Sequence, residues 1–294
     1  MPVPAIVVVG SVNADLTVRV AALPAPGQTV AGSDYRVAFG GKGANQAAAA
    51  SALGARSHLV GAVGDDEHGR GSLADLAARG VDTSFVEVGA AHTGVALIQV
   101  DEAGENTIAI VPGANATVTP GLVAVALDGI PGPAVVVTNL EIPLAAVEAA
   151  AEGAARRGWP LVLNPAPARP LPRALLERTS VLTPNETELA ELGDAVEAAG
   201  AIVVTRGGEG CDIRLGGAVT RVPAAPARPV DTTGAGDAFT AALAVALAEG
   251  LELAEAVRFA AAAGAVATEG PGARGAVLDR AAVERRRAEA AGRA

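Results

Sequence analysis

The chain has 294 residues, of which half are hydrophobic, 18% charged and 2% aromatic, with a formal net charge of −10. This is the composition of a globular α/β chain with a core of Ala, Val and Leu; it excludes a disordered polymer, and the lack of a basic face excludes a nucleic-acid binder. The single cysteine, Cys211, excludes an intrachain disulfide and a cysteine metal cluster and reads as a buried structural thiol, while no apolar run reaches membrane-spanning length without a Gly, Pro or charge.

The N-terminus opens directly into a strand-like Ala5-Ile6-Val7-Val8-Val9, so a cytoplasmic location is expected. Ser11-Val12-Asn13-Ala14-Asp15 follows, putting polar groups at a strand's C-terminal end, where open α/β sheets bind ligands. Asn13 and Asp15 can hydrogen-bond neighbouring hydroxyls there, although both are also ordinary turn formers. Leu16 to Val20 and Gln28 to Ala38 alternate apolar and polar residues, as do Thr93 to Val100 and Asn106 to Val111 around the hairpin Asp101 to Glu105. These four are predicted to form a small, half-exposed sheet of their own.

Gly41 to Leu53 is predicted to be a helix whose start, Phe39-Gly40-Gly41-Lys42-Gly43-Ala44-Asn45, faces the ligand edge. Lys42 is the only lysine in a chain that otherwise uses arginine, and an ammonium between glycines is a compact donor that a ligand can approach closely. Ser57 to Val63 reads as a buried strand, followed by a helix ending at Arg79. From Ala134 the rhythm is regular: strand Ala134 to Thr138, helix Pro143 to Arg157, strand Leu161 to Leu163, a helix near Arg173 to Arg178, and strands at Val181 to Leu182 and Ala201 to Thr205. Alternation of this kind predicts a central, mostly parallel sheet with helices on both faces.

The strand ends carry Asn139 and Glu141, then Asn164, then Asn185 and Glu188. The last two share one face of a helix start and can hold a hydrated Mg²⁺ near phosphates; an acidic first helical turn is the plainer reading. Arg206-Gly207-Gly208-Glu209-Gly210 is flexible enough for a nucleotide to approach its backbone, and a hairpin over Cys211 to Val222 follows.

Asp231-Thr232-Thr233-Gly234-Ala235-Gly236-Asp237-Ala238-Phe239 then leads into the alanine-rich run Thr240 to Glu249. The glycines suit a turn that presents N–H groups on a helix N-terminus, an anion-binding arrangement. The helix dipole is expected to hold Asp237 ionised. A carboxylate beside a bound polyphosphate suggests phosphoryl transfer, with Asp237 accepting the proton of the attacking hydroxyl. A glycine-rich helix start that merely saves space is the alternative. A helix over Glu252 to Thr268, a glycine-rich turn from Gly270 to Gly275 and an Arg-rich helix with a solvated face complete the chain. There is no internal repeat, no boundary at which a second domain could begin, no Walker A pattern and no dinucleotide fingerprint, so residues 1–294 are expected to form one α/β domain.

The stretch Phe39 to Gln46 through Gly64-Asp65-Asp66, together with Asp231 to Asp237, resembles the two signatures of the PfkB family of carbohydrate kinases, and the likeness runs end to end. Gly10 to Asp15, Asn164 to Arg169 and Thr183 to Glu188 are similar to its ribose-phosphorylating branch. The resemblance implies an ATP-dependent transfer to the 5-hydroxyl of D-ribose, with Mg²⁺ and an activating K⁺. It implies a sugar site of Asn13, Asp15, Gly41, Lys42, Asn45 and Glu141; a catalytic base, Asp237, with an anion hole of Gly234, Ala235 and Gly236; and a nucleotide site of Asn185, Thr205, Gly207, Gly210 and Gly236. Glu188 matches the motif linked to Mg²⁺, and Asp231, Thr233, Ala267, Gly270, Gly272 and Ala276 match a K⁺ loop. The small sheet, inserted over about 15–38 and 93–111, matches a lid that also builds a homodimer. The segment between Glu191 and Ala201 is shorter than the family pattern, and Ala261 and Ala276 stand where polar side chains are common. Alternatives are a PfkB kinase of another small sugar or a nucleoside, and a non-catalytic sugar-binding protein; the scarcity of aromatic residues argues against a nucleoside base.

Overall fold

The computed structural model describes residue 3 and residues 5–292. Its centre is β1 (Ala5–Val9), a five-residue strand with every residue buried. Ile6 and Val8 pack into the apolar cluster on one side of the sheet, while Ala5, Val7 and Val9 pack into that on the other. A strand covered on both faces has no use for polar alternation, which is why it reads as a continuous apolar run.

β2 (Asn13–Val20), β3 (Gly32–Gly40), β6 (Gly94–Val100) and β7 (Asn106–Val111) form a separate four-stranded sheet in the order β3-β2-β6-β7. Between β3 and β6 run α1 (Lys42–Ala52), β4 (Arg56–Gly64), α2 (Glu67–Ala78) and β5 (Asp82–Gly89). The chain continues through α3 (Pro120–Gly129), β8 (Ala134–Asn139), α4 (Leu144–Arg157), β9 (Leu161–Asn164), the short α5 (Arg173–Leu176), β10 (Val181–Leu182) and α6 (Glu186–Leu192). β11 (Ile202–Thr205), β12 (Cys211–Leu215), β13 (Ala218–Val222), α7 (Ala235–Ala248), α8 (Leu253–Ala267) and α9 (Arg280–Ala291) complete it.

The nine-stranded sheet has the order β13-β12-β11-β10-β9-β8-β1-β4-β5; its ladders are parallel from β11 to β5 and antiparallel at β12 and β13. After β1 the chain moves outward through β4 and β5, then returns to pair β8 on the other side of β1. The strand order therefore reverses between β1 and β8, and the C-terminal edge at such a reversal is where a crevice opens. No helix among the described residues is long and apolar enough to cross a membrane.

Periodicity misses β5 and α3. In β5 the pattern is obscured because this edge strand mixes exposed Asp82, Ser84 and Glu87 with half-buried Phe85 and Val86. α3 is almost wholly apolar and so shows no amphipathic period; its start is set by Thr119, which caps Leu122 N–H, and by Pro120 in the first turn. The short stretch after α6 is a 3₁₀ turn, Gly193–Ala198, leading to β11. Cys211 is buried and its thiol is pushed up to about 12, chiefly by that burial, so it is an inert packing residue.

Candidate active site

The residues expected to bind the sugar converge at the reversal point. Glu141, just past β8, accepts hydrogen bonds from Ser11 Oγ at 2.5 Å, from the Lys42 backbone N–H at 3.2 Å and from Asn13 Nδ2 at 3.5 Å. One carboxylate thus ties the end of β1 to the start of α1. Asn13 is held from its other side by Asn115, whose Nδ2 donates to Asn13 Oδ1 at 2.7 Å. Gly41 caps α1 at φ 86°, a conformation side chains avoid, and a Cβ there would lie 2.6 Å from Asn13 N. The Asp15 carboxylate lies over Gly40, which pairs with Asn13 across the ladder.

Asp237 enters from the opposite wall, in the first turn of α7. Asn45 Nδ2 donates to its Oδ2 at 2.9 Å and Gln46 Nε2 to its Oδ1 at 3.1 Å. Gln46 is fully buried and also donates to Asn164 Oδ1 at 3.3 Å, anchoring it to the end of β9. The expectation that the dipole sets the ionisation of Asp237 needs correction. Burial raises its pKa above the ordinary 3.8, with Glu141 adding to the effect, and this outweighs the opposing pull of Lys42, Asn45 and Gln46. Asp15 is lifted to about 6, mainly by burial and then by Glu141. Lys42 experiences the reverse balance: burial disfavours its ammonium, but Asp237, Glu141 and Glu188 more than offset it, and its pKa rises.

A polar cavity of about 140 Å³ opens beside Asp237, lined by Lys42, Asn164, Asn185, Glu188, Thr205, Gly234, Gly236 and Asp237 among others; Asn13, Asp15, Gly41, Asn45 and Glu141 are not among its lining residues. Asn185 and Glu188 form a capping box on α6: Asn185 Oδ1 accepts from Glu188 N–H and Glu188 Oε2 from Asn185 N–H, each at 2.8 Å. The plainer reading, a helix start, describes this pair, and both residues also line the cavity. Thr205 bridges to Asn185 across the sheet. Gly207 and Gly210 sit in the turn after β11 and are not among the residues lining this cavity.

The anion-hole candidates rest on the loop after α8. Gly234 has φ 78°, and a Cβ there would lie 2.6 Å from Ala273 Cα. Asp231 joins the two loops, accepting from Thr233 N–H at 2.9 Å and Gly272 N–H at 2.8 Å. Burial alone would raise its pKa, but these bonds hold it below the ordinary value. Gly270 lies against the Ala276 backbone, and Ala267 and Ala276 line a second small cavity behind Gly234. Among the described residues no three His, Cys, Asp or Glu side chains cluster in a way that would hold a metal by themselves.

Three contributors escape the sequence reading of the site: Gln46, Asn115 and Arg274, whose Nε donates to Asn45 Oδ1. Gln46 adjoins Asn45, and consecutive helical residues point in different directions, so both reaching one carboxylate is not a pattern that periodicity suggests. Asn115 belongs to a 3₁₀ turn, Gly113–Thr117, without a recognisable motif.

The chain is similar in sequence and in fold to known proteins. The pattern of the pfkB family carbohydrate kinases matches residues 3–280. Ribokinase of Bacillus subtilis is 40% identical over 287 residues, covering 95% of this chain and 98% of that one. The crystal structure of ribokinase from Thermotoga maritima superposes with a TM-score of 0.85 at 30% identity, covering 96% of this chain and 99% of the other. That of Arabidopsis thaliana ribokinase complexed with ribose and ATP gives 0.83 at 32% identity, covering 97% and 99%. The chain belongs to the pfkB family of carbohydrate kinases.

Proposed function

We propose that this chain transfers the γ-phosphoryl group of ATP to the primary 5-hydroxyl of ribose. The observation that carries the reading is the placement of the Asp237 carboxylate, behind the Gly234–Gly236 turn, in one cavity with Lys42, Asn185 and Glu188. The extended similarity to ribokinases, one of them described with ribose and ATP, supports the choice of sugar and donor.

Asn13, Asp15 and Glu141 offer acceptors and a donor to sugar hydroxyls, and Asn45 and Gln46 hold Asp237. The sugar oxygen attacks the γ-phosphorus, the bond to the β-phosphate bridging oxygen breaks, ADP leaves, and the hydroxyl proton passes to Asp237. N–H groups at the α7 N-terminus and the Lys42 ammonium lie where negative charge gathers on the transferred group, and this is the larger part of catalysis in a loose transition state. Gly207 and Gly210, in the turn after Thr205, complete the proposed nucleotide site.

The donor chemistry fits the expected cations. Glu188, with one carboxylate oxygen outside its capping box, would suit a largely hydrated Mg²⁺, and Asp231, whose two oxygens each accept one backbone N–H bond, would offer K⁺ their remaining lone pairs. When bound, these ions supply charge neutralisation at the phosphates and order in the loop. Without them, the same residues still hold the two loops together through Asp231 and cap α6 through Glu188.

The four-stranded sheet exposes Tyr35, Val37 and Leu97 on one face and, by register, Ile108 and Ile110 on the face shared with Asp15. This much unpartnered apolar surface supports a lid over the sugar that pairs with a second copy. Sedimentation of wild type, Leu97→Glu and Ile108→Glu tests it: a dimer is expected, with at least one variant monomeric, and a monomeric wild type overturns it.

The function itself is tested by ADP release over ribose, deoxyribose, fructose and nucleosides, with and without K⁺. Ribose is expected to give the highest kcat/KM; no turnover on any acceptor overturns the reading.

A further inference from the structure

Arg274 lies in the loop between α8 and α9, yet its guanidinium reaches the acceptor side of the site. Nε donates to Asn45 Oδ1 at 2.8 Å, one terminal nitrogen donates to Asp75 at 2.7 Å and the other to the Gly40 carbonyl at 3.2 Å. The side chain is only 8% exposed. One planar fork thus ties α2 to the start of α1 and the end of β3, which carry the acceptor side of the site.

An asparagine amide has two nearly isosteric orientations, with oxygen and nitrogen exchanged. Here chemistry allows one. Arginine carries no acceptor, so the Asn45 atom facing it must be oxygen, and that leaves the nitrogen to face Asp237. We propose that Arg274 is a positioning residue for the acceptor site, fixing Asn45 so that its N–H group is aimed at Asp237 while securing the end of the lid strand at Gly40. Asp75 holds the fork in place. It also pairs with Arg79 at 3.0 Å, so removing Arg274 does not leave a carboxylate without a partner.

The proposal rests on the sugar-kinase reading for its kinetic consequence but not for its structural one, and two readouts separate them. In Arg274→Met, which keeps length and loses all donors, kcat is expected to fall about 10²-fold and KM for ribose to rise about tenfold, with KM for ATP within about twofold. Arg274→Lys retains charge without the fork and is expected to recover only part of this loss. The second readout needs no turnover: the Asn45 side-chain amide signal in an ¹⁵N–¹H spectrum, assigned by its disappearance in Asn45→Asp. It is expected to exchange slowly with solvent in the wild type and about tenfold or more faster in Arg274→Met, at temperatures where both remain folded. An unchanged Asn45 signal overturns the assignment whether or not ribose is phosphorylated. So does a variant whose KM values for both substrates rise together while the Asn45 signal is retained. A wild type that phosphorylates no sugar refutes the function and leaves the amide readout to judge Arg274.

Discussion

Gln46 and Asp237 are 191 residues apart in the chain, yet Gln46 Nε2 donates to Asp237 Oδ1 at 3.1 Å in a buried contact. Asn45 supplies the bond to the other carboxylate oxygen, so adjacent residues of α1 grip the candidate base from both sides. A hydrogen bond to a charged group contributes about 1.5–3 kcal/mol, equivalent to about 10–100-fold in rate if it is lost in the transition state. Gln46→Leu is therefore expected to lower kcat by about that factor, with KM for ATP little changed. Steady-state kinetics check this, and a wild-type kcat would mean that Asn45 alone orients the carboxylate.

Asp237→Asn keeps shape and the Gln46 and Asn45 neighbours but cannot take a proton. Turnover is expected to fall by about 10²–10⁴-fold, the usual contribution of general-base catalysis, while calorimetry still detects ribose binding. The pH profile follows from the same burial. The pKa of Asp237 is raised above 3.8, so its base form is lost as pH falls through a value higher than that of an ordinary carboxylate. The acid limb of kcat/KM is expected to lie correspondingly high, and a flat profile down to the ordinary aspartate range would exclude Asp237 as the base.

Gly234 and Gly236 lie two residues apart in the same turn but differ in what a methyl group would meet. At Gly234, φ is 78° and a Cβ would come within 2.6 Å of Ala273 Cα, so Gly234→Ala must distort the turn or displace the 270–276 loop. A loss of about 1–3 kcal/mol in stability is expected, with a lower melting temperature. At Gly236 nothing lies within 4 Å, and the residue is already helical. Gly236→Ala should leave the melting temperature nearly unchanged and raise KM for ATP, because any cost arises only when phosphate approaches the backbone. Equal kinetics for Gly236→Ala and wild type would remove this backbone from the nucleotide site.

Much of this arrangement is legible in the sequence because it is local. β1 announces itself by five consecutive apolar residues, and α7 by a glycine turn followed by an uninterrupted apolar run. Lys42 stands out as the sole lysine, and Glu141 and Asn185 as polar residues after buried strands. Residues whose role depends on distant partners are less visible. Asn115 acts on Asn13 across 102 positions and Arg274 on Asn45 across 229, and neither belongs to a periodic pattern. The state of Asp237 is equally hidden: the dipole argument uses only its helix, whereas its burial comes from α1, β9 and the approach of Glu141.

Asp15 offers a test in which stability and function move in opposite directions. Its pKa is raised from 3.8 to about 6 because burial, then Glu141, penalise the ionised form in the folded protein. A raised carboxyl pKa means that the native state binds protons more tightly than the unfolded chain, so stability falls as pH rises between these two values and does not return above them. Asp15→Asn removes the penalty. Its melting temperature is expected to match wild type near pH 4 and to exceed it above pH 6, the difference opening across that interval. If Asp15 accepts from a sugar hydroxyl as proposed, the substituted amide presents a donor in its place, and KM for ribose is expected to rise at the same pH values that show the stability gain. The loss of the favourable charge between Asp15 and Arg274 works against the gain, but it ranks below burial and Glu141 among the influences on Asp15. Thermal melts from about pH 4 to 8 check the result, and a variant less stable than wild type at pH 7 would show that Asp15 is held in place for packing and not kept charged for its ligand.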